Sequence, residues 1–221
     1  VDLAHWPARH RFMVLAGRTG SGKSLLLEEL ARQGAQVLDL EQLAQHRGSV
    51  LGHLPHAPGQ PSQKRFETLL WDRLRRLDPA RPILVESESR KIGQCQVPEA
   101  LILAMRASPC VVVEASDAVR STLLLREYRH FVEDPERLRE RLQALHALHG
   151  AERIAGWMSL ARAGDWDTFV RTLLHEHYDP AYDRSMKRNY ARVEQAHHVS
   201  LEGIDDAALA DAARRVLALT H

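Results

Sequence analysis

The sequence predicts an α/β fold in which helices cover both faces of a parallel β-sheet. Short apolar segments alternate along the chain with longer segments whose leucines recur at helical spacing. Such alternation is typical of βαβ units, which keep their strands parallel and bury both faces of the sheet. With 221 residues, 44% of them hydrophobic, the chain is long enough for one such domain and too apolar for a disordered protein. No apolar segment approaches the roughly 18 residues of a membrane span, which argues against an integral membrane protein.

Five apolar segments are predicted as strands, at residues 11–16, 35–40, 82–86, 110–114 and 197–201. A helix over residues 23–33 follows the first strand and stops at Gly34, a residue that commonly ends helices. Residues 46–62 are rich in Gly, Pro and His and are predicted as a long loop before an amphipathic helix over residues 63–77. Asp134-Pro135 interrupts a later helical region, and Asp205 or Asp206 is expected to cap a closing helix.

The strongest motif is GRTGSGKS at residues 17–24, which matches G-x-x-x-x-G-K-[ST] in full. It lies between a predicted strand and a predicted helix, where backbone N–H groups and the helix dipole can cradle phosphate. Lys23 would reach the terminal phosphates, and the Ser24 hydroxyl would hold Mg²⁺ if that metal is bound. The predicted phosphate-binding residues are Gly17, Arg18, Thr19, Gly20, Ser21, Gly22, Lys23 and Ser24.

The motif and the strand order along the chain predict a P-loop NTPase fold of the kinase-like kind. Residues 1–118 would form its α/β core, residues 119–195 a helical lid or appendage, and residues 196–221 the closing strand and helix of the core. The absence of a guanine-reading N-K-x-D segment argues against a GTPase.

Two carboxylates follow the third predicted strand. Glu86 ends that strand, and Glu88 lies two residues later, on the same side of an extended chain. One of them could order Mg²⁺ or water while the other acts as a base, so both are candidate catalytic residues beside Lys23. A solvated strand end is the alternative interpretation.

Further polar residues follow the second and fourth predicted strands. Asp39 lies at the carboxyl end of the second predicted strand, and His46 and Arg47 open the long loop, where they could contact an anion. Arg120, Arg126 and Arg129 occupy the region where kinase-like folds carry an arginine-bearing lid, and a spacing of three places Arg126 and Arg129 on one helix face. A polar surface loop and a solvated helix face are the alternatives.

Composition bears on three classes of protein: nucleic-acid-binding proteins, zinc proteins and disulfide-bonded proteins. The net charge is only +1, whereas a strongly basic balance is typical of nucleic-acid-binding proteins. The thirteen histidines lack zinc-ligand spacing, so no metal site is expected from them. Cys95 and Cys110 are too few for a disulfide framework, which favours a reducing, cytoplasmic compartment. The chain begins with Val1, which suggests a domain excised from a longer protein.

Several segments together resemble a known family. GRTGSGKS is followed by HRGS at residues 46–49, QPSQ at 60–63, VESESR at 85–90 and YDPAY at 178–182. This order resembles the P-loop domain of bacterial tRNA 2-selenouridine synthase, without its N-terminal rhodanese domain. The resemblance covers most of residues 12–182.

The resemblance implies modification of tRNA that carries 2-thiouridine at the wobble position. The family transfers a geranyl group from geranyl diphosphate to that sulfur and, with its rhodanese domain, uses selenophosphate to form 2-selenouridine. The loop would then hold the diphosphate. Candidate tRNA or substrate contacts are Asp39, His46, Arg47, Ser49, Gln60, Ser62, Gln63, Arg90, Arg120, Arg126 and Arg129.

Two other functions remain open from the sequence. One is an ATP-dependent kinase acting on a small molecule or nucleoside, in which case the loop would bind ATP instead of geranyl diphosphate. The other is a non-catalytic module that docks tRNA for the missing domain. The motifs beyond the loop argue against the kinase, and the intact Lys23-Ser24 pair argues against the docking module.

Overall fold

The computed structural model describes residues 3, 5, 7–48, 59–190 and 192–220. The predicted substrate contact Ser49, and with it most of the predicted loop at 46–62, lies outside these residues. Among the described residues, no helix is both long enough and apolar enough to cross a bilayer.

The strands build one parallel sheet and one small hairpin. They are β1 (Phe12–Ala16), β2 (Gln36–Leu38), β3 (Ile83–Glu86), β4 (Lys91–Ile92), β5 (Cys95–Gln96), β6 (Cys110–Glu114) and β7 (His197–Ser200). The main sheet has the order β2-β3-β1-β6-β7, and all neighbouring strands in it are parallel. Strands β4 and β5 pair antiparallel outside this sheet. The predicted parallel α/β architecture is confirmed.

Helices account for most of the remaining described chain. They are α1 (Lys23–Arg32), α2 (Leu40–Ala44), α3 (Gln63–Leu74), α4 (Glu99–Ala107), α5 (Asp117–Glu127), α6 (Arg129–Glu133), α7 (Pro135–Gln143), α8 (His146–Arg162), α9 (Trp166–Leu173), α10 (Asp179–Asn189) and α11 (Asp206–Ala218). A π-helical turn, Leu174–Tyr178, joins α9 to α10.

Alternate side chains of β1 enter two separate hydrophobic cores, as the period of two in a strand requires. Val14 belongs to a core completed by α3, α4 and α10, whereas Leu15 belongs to a core completed by α1 and α11. Helices therefore cover both faces of the sheet, as predicted.

The helices α5 to α9 share a third core that is separate from the two sheet cores. Trp157, Phe131 and Leu142 are buried in it, and Leu124 of α5 joins them. This cluster is the helical appendage that the sequence predicts. The boundaries at residues 118 and 195 stay a prediction.

A side-chain cap explains one difference between the predicted and observed elements. Asp39 accepts a hydrogen bond from the Gln42 backbone N–H at 2.7 Å and starts α2, so the prediction that the second strand reaches Leu40 is wrong. Helix α4 and the β4–β5 hairpin are absent from the sequence prediction. At the other end of the chain Asp205 accepts from the Ala208 N–H at 2.9 Å, which confirms the predicted cap of α11.

Candidate active site

The phosphate-binding motif forms the turn between β1 and α1 and is shaped by its glycines. Gly20 and Gly22 have φ angles of 78° and 83°, in the left-handed region that favours glycine. A Cβ on Gly17 would lie 2.6 Å from the Val113 carbonyl oxygen, and one on Gly22 would lie 2.5 Å from the Leu201 side chain. Larger residues would therefore displace the loop from the sheet edge.

Lys23 folds back onto the loop that precedes it. Its Nζ donates to the Gly17 carbonyl oxygen at 2.5 Å and to the Arg18 carbonyl oxygen at 3.3 Å. Burial lowers the pKa of Lys23, and the neighbouring carboxylates of Glu41 and Glu86 oppose that shift. The ammonium group is thus held at the edge of the loop in a poorly solvated place, where its attraction to phosphate is strong.

Three carboxylates converge opposite the loop. Glu86 at the end of β3, Glu88 two residues later and Glu41 of α2 each offer one oxygen, and these oxygens lie within 4.8 Å of one another. The Ser24 hydroxyl donates to Glu41 Oε2 at 3.3 Å, and the Glu41 backbone N–H donates to Glu86 Oε1 at 3.1 Å. Strand register explains the placement, because Leu15 at the end of β1 lies opposite Glu86.

Burial dominates the protonation of this carboxylate cluster. It raises the pKa of Glu41 and of Glu88 to about 8 each, with the like charges of the other carboxylates as the second cause. Burial and the charge of Glu41 raise the pKa of Glu86 well above its usual value. The cluster therefore concentrates more negative charge than its surroundings stabilise.

These residues fit a magnesium ion. Carboxylate and hydroxyl oxygens are the hard ligands that Mg²⁺ prefers, and Mg²⁺ usually takes only one or two carboxylates together with substrate phosphates. Ser24, Glu41, Glu86 and Glu88 supply such oxygens beside the phosphate-binding loop. A cation there would offset the accumulated negative charge and neutralise that of a departing phosphate group.

The loop and the carboxylates line one large cleft. Its volume is about 570 Å³. Its walls include residues 19–24, the carboxylate cluster, Asp39, the segment His46, Arg47 and Gly48, and the tyrosines Tyr128, Tyr178, Tyr182 and Tyr190. The cleft lies at the carboxyl ends of parallel strands, where ligands bind in open α/β sheets.

An apolar pocket adjoins this cleft. Thr19 of the phosphate-binding loop lines both cavities, as do Leu124, Tyr128 and Tyr178. The pocket lies among α5, α6, α7 and α9 in the helical core, and its volume is about 40 Å³. Its lining is almost entirely hydrocarbon, including Phe169, Leu173 and Val132.

Helix α10 contacts Gly17 and Arg18 of the loop directly, and it reaches Thr19 through Arg120 of α5. The Gly17 backbone N–H donates to the Tyr182 hydroxyl at 2.5 Å, and Arg18 pairs with Asp183 at 2.8 Å. The Thr19 carbonyl oxygen accepts from Arg120 Nε at 3.0 Å. Arg120 in turn donates through both terminal nitrogens to Asp179, and both side chains are buried.

The predicted substrate contacts fall into three groups. Asp39, His46 and Arg47 line the cleft, and Arg47 pairs with Glu127 at 2.5 Å. Arg120 is buried and donates a hydrogen bond to the Thr19 carbonyl oxygen of the loop. Exposed positions are taken by Arg90, Arg126 and Arg129.

The QPSQ residues support the hairpin instead of pointing into the cleft. Gln60 donates to the carbonyl oxygens of Ala44 and Ile92, and Gln63 bonds the backbone of Gln96 in both directions. Ser62 caps α3 by accepting from the Arg65 N–H. Their roles as tRNA or substrate contacts stay a prediction.

Two groups at the site are not among the residues that the sequence singles out. Glu41 joins the carboxylate cluster from the short helix α2, which begins at the last residue of the predicted second strand. Asp179, Tyr182 and Asp183 meet the loop across more than 160 positions of sequence. The YDPAY motif was the available signal, but its spacing alone does not indicate contact with the loop.

Comparisons with known proteins agree with the resemblance seen in the sequence. A family model described as the tRNA 2-selenouridine synthase AAA domain matches residues 10–158. The chain is 34% identical over 211 residues to the tRNA 2-selenouridine synthase of Hahella chejuensis, covering 83% of this chain and 54% of that protein. It is 36% identical over 210 residues to the one from Bordetella bronchiseptica, covering 82% and 55%. The chain therefore spans about half the length of these curated relatives.

Among solved structures, the chain is similar to two kinases. One is shikimate kinase from Acinetobacter baumannii, with a TM-score of 0.42, 15% identity and coverage of 95% of this chain and 92% of that one. The other is a gluconokinase from Sinorhizobium meliloti, with a TM-score of 0.33, 16% identity and coverage of 96% and 98%.

The segment that the family model matches contains the phosphate-binding loop, the carboxylate cluster and Arg120. Beyond it lies α10, which contacts the loop from the helical side. The family match and the identity to curated relatives support the same conclusion as the site. The chain belongs to the tRNA 2-selenouridine synthase AAA domain family.

Proposed function

We propose that this cleft transfers a geranyl group from geranyl diphosphate to the sulfur of 2-thiouridine at the wobble position of tRNA. The phosphate-binding loop holds the diphosphate. In the full-length protein a rhodanese domain then uses selenophosphate to convert the modified base to 2-selenouridine. Family membership supports the tRNA part of this function, and the cleft supports the choice of donor.

The observation that carries the choice of donor is the position of Thr19. This residue lines the polar cleft on one side and the apolar pocket on the other. A ligand whose phosphate lies in the loop could extend its hydrocarbon chain past Thr19 along the shared wall of Leu124, Tyr128 and Tyr178, with the end of the chain in the pocket. Burial of ten carbons contributes at most roughly 8 kcal/mol, at about 0.8 kcal/mol per carbon.

The transfer itself is a substitution at an allylic carbon. The thiocarbonyl sulfur forms a bond to C1 of the geranyl chain as the bond from C1 to the diphosphate oxygen breaks and its electrons leave with pyrophosphate. The uridine N3 proton is then lost, which restores a neutral base. One carboxylate of the cluster, in its ionised form, can accept this proton while the others hold magnesium.

The protein's main task is to stabilise the departing pyrophosphate and to align the two reactants. Lys23 and the backbone N–H groups of the loop face the developing negative charge. Magnesium, held by Ser24 and the carboxylates, would supply further charge neutralisation. Exposed arginines such as Arg126 and Arg129 would contact the tRNA phosphates, which makes tRNA binding steeply dependent on salt.

Analysis of modified tRNA tests this function. The 221-residue chain is incubated with Mg²⁺, geranyl diphosphate and tRNA containing 2-thiouridine, and the digested nucleosides are measured by mass spectrometry. We expect geranylated 2-thiouridine and an equal amount of pyrophosphate. Consumption of MgATP with a phosphorylated small molecule would favour the kinase, and tRNA binding without any turnover would favour the docking module.

A substitution at the rim of the pocket tests where the hydrocarbon chain lies. Val132 is the exposed member of the pocket lining, so Val132→Trp adds bulk at the mouth without overpacking the core. We expect the affinity for geranyl diphosphate to fall about ten- to hundredfold, because several carbons lose their burial. The affinity for inorganic pyrophosphate should stay unchanged in the same calorimetric titration.

Leu148→Trp is the matched control for this substitution. Leu148 is another exposed apolar residue of the helical unit, and it does not line the pocket. The proposed location of the geranyl chain is wrong if both variants bind geranyl diphosphate as tightly as the unmodified protein.

A further inference from the structure

We propose that Tyr182 of α10 is a positioning residue that sets the place of Lys23 through Gly17. The inference rests on the proposed function, since it takes the loop as the diphosphate site. It assigns to the helical side of the protein a direct part in shaping that site.

Gly17 is held from two directions. Its backbone N–H donates to the Tyr182 hydroxyl at 2.5 Å, while its carbonyl oxygen accepts from Lys23 Nζ, also at 2.5 Å. Tyr182 is 165 residues away in sequence, so this contact is tertiary. Movement of Gly17 would therefore move the main hydrogen-bond partner of the Lys23 ammonium group.

Gly17 is also a position where the backbone has little freedom to adjust. A Cβ there would approach the Ser21 Oγ to 2.5 Å and the Val113 carbonyl oxygen to 2.6 Å, so the glycine is packed closely against its surroundings. Loss of one of its two hydrogen bonds leaves a polar group without a partner in this packed place, and such a loss is costly. The loop would respond by shifting and not by finding another partner.

The Tyr182 side chain is itself firmly placed. Burial raises the pKa of its hydroxyl to about 12, so the group remains protonated at physiological pH. The helix that carries it is attached to the loop on both sides, through the Asp183–Arg18 pair and through the Asp179–Arg120–Thr19 chain of hydrogen bonds. The Tyr182 ring centroid lies 5.9 Å from Lys23 Nζ, which limits the space into which the ammonium group can move.

The alternative is that Tyr182 only stabilises the fold. A double-mutant cycle with Lys23 separates the two roles, because coupling energies arise only between residues that act through each other. The readout is the affinity for inorganic pyrophosphate with Mg²⁺, measured by calorimetric titration of the 221-residue chain. Tyr182→Phe removes the hydroxyl and keeps the ring.

We expect Tyr182→Phe to weaken pyrophosphate binding about tenfold in the otherwise unmodified protein, the effect of one unpaired buried donor. In the Lys23→Ala background the same substitution should change the affinity less than about twofold, because the group that it positions is gone. Tyr190→Phe is the matched control. It removes the same atom at the end of the same helix, where the hydroxyl donates to the Glu88 carbonyl oxygen at 3.2 Å and not to the loop. Its effect should be the same in both backgrounds.

An equal loss of affinity from Tyr182→Phe in both backgrounds would overturn the proposal, since it would show a general structural role. A gain in affinity would also overturn it, because the hydroxyl would then compete with the ligand for the Gly17 N–H. If the unmodified chain does not bind pyrophosphate, the diphosphate site itself is wrong. If pyrophosphate binds but the effects of Tyr182→Phe and Lys23→Ala on its affinity simply add, only the role of Tyr182 is refuted.

Discussion

Asp179→Ala is expected to lower the free energy of unfolding of this chain by about 3–5 kcal/mol, the usual cost of leaving one partner of a buried ion pair alone. Asp179 and Arg120 are only 5% and 3% exposed. Arg120 would retain its bonds to Thr19 and Asp117 but lose the carboxylate that balances its charge in the interior. Urea unfolding followed by circular dichroism measures the difference.

Asp211→Ala provides the comparison for this prediction. Asp211 forms ion pairs with Arg214 and Arg215 on the exposed face of α11, with half of its side chain accessible to solvent. Exposed pairs contribute roughly 0–1 kcal/mol, so this variant should unfold almost as the unmodified protein does. Similar losses in the two variants would contradict the role assigned to the buried pair.

Replacing both members of the buried pair by apolar residues gives a second test. In Arg120→Met/Asp179→Leu neither member of the buried pair is left alone in the interior, and Asp117, which loses Arg120, is partly exposed to solvent, so much of the stability lost in Asp179→Ala should return. The Thr19 carbonyl oxygen still loses its donor in this double variant. We therefore expect stability to recover further than pyrophosphate affinity does.

Lys23→Ala is expected to reduce geranyl transfer by about 10²–10³-fold, the range seen when one preorganised donor to a developing charge is removed. The fold should survive the change. Burial lowers the pKa of Lys23, so its charge is unfavourable in the folded protein, and removing that charge offsets part of the cost of the hydrogen bond that the Gly17 carbonyl oxygen loses. The measurement is the rate of formation of geranylated nucleoside, with the melting temperature as the folding control.

The rate result would contradict the account if Lys23→Ala kept more than about a tenth of the activity while the melting temperature was unchanged, because a preorganised donor contributes more than that. In that case the loop would serve only to place the chain against tRNA. The docking-module alternative predicts this outcome.

The sequence alone predicts the phosphate-binding loop because the residues of the motif are adjacent in the chain. The need for its glycines arises within the turn itself. Glu86 is equally predictable from the sequence, since it ends an apolar strand. Glu41 is not predictable in this way, because Asp39 ends the strand early and starts a helix that single-residue propensities do not reveal. The sheet itself followed from the alternation of apolar segments, whereas the small hairpin β4–β5 has strands of only two residues and leaves no periodic signal.

Long-range contacts account for what the sequence leaves open at the site. Arg120 is predicted as a tRNA or substrate contact from its place after the fourth strand, and in the structure it is buried with its donors directed to Thr19, Asp117 and Asp179. Tyr182 meets Gly17 only because α5 to α9 fold into their own core and return the chain to the sheet. Neither fact is encoded in local sequence patterns.

Calorimetric titration with geranyl diphosphate and, separately, with MgATP tests the central claim most directly. The account predicts that geranyl diphosphate binds the unmodified chain in the presence of Mg²⁺. It also predicts that Lys23→Ala weakens this binding about ten- to hundredfold, the effect of one lost charge-assisted contact. Binding of MgATP alone, with no heat from geranyl diphosphate, would contradict the account and identify the loop as a nucleotide site.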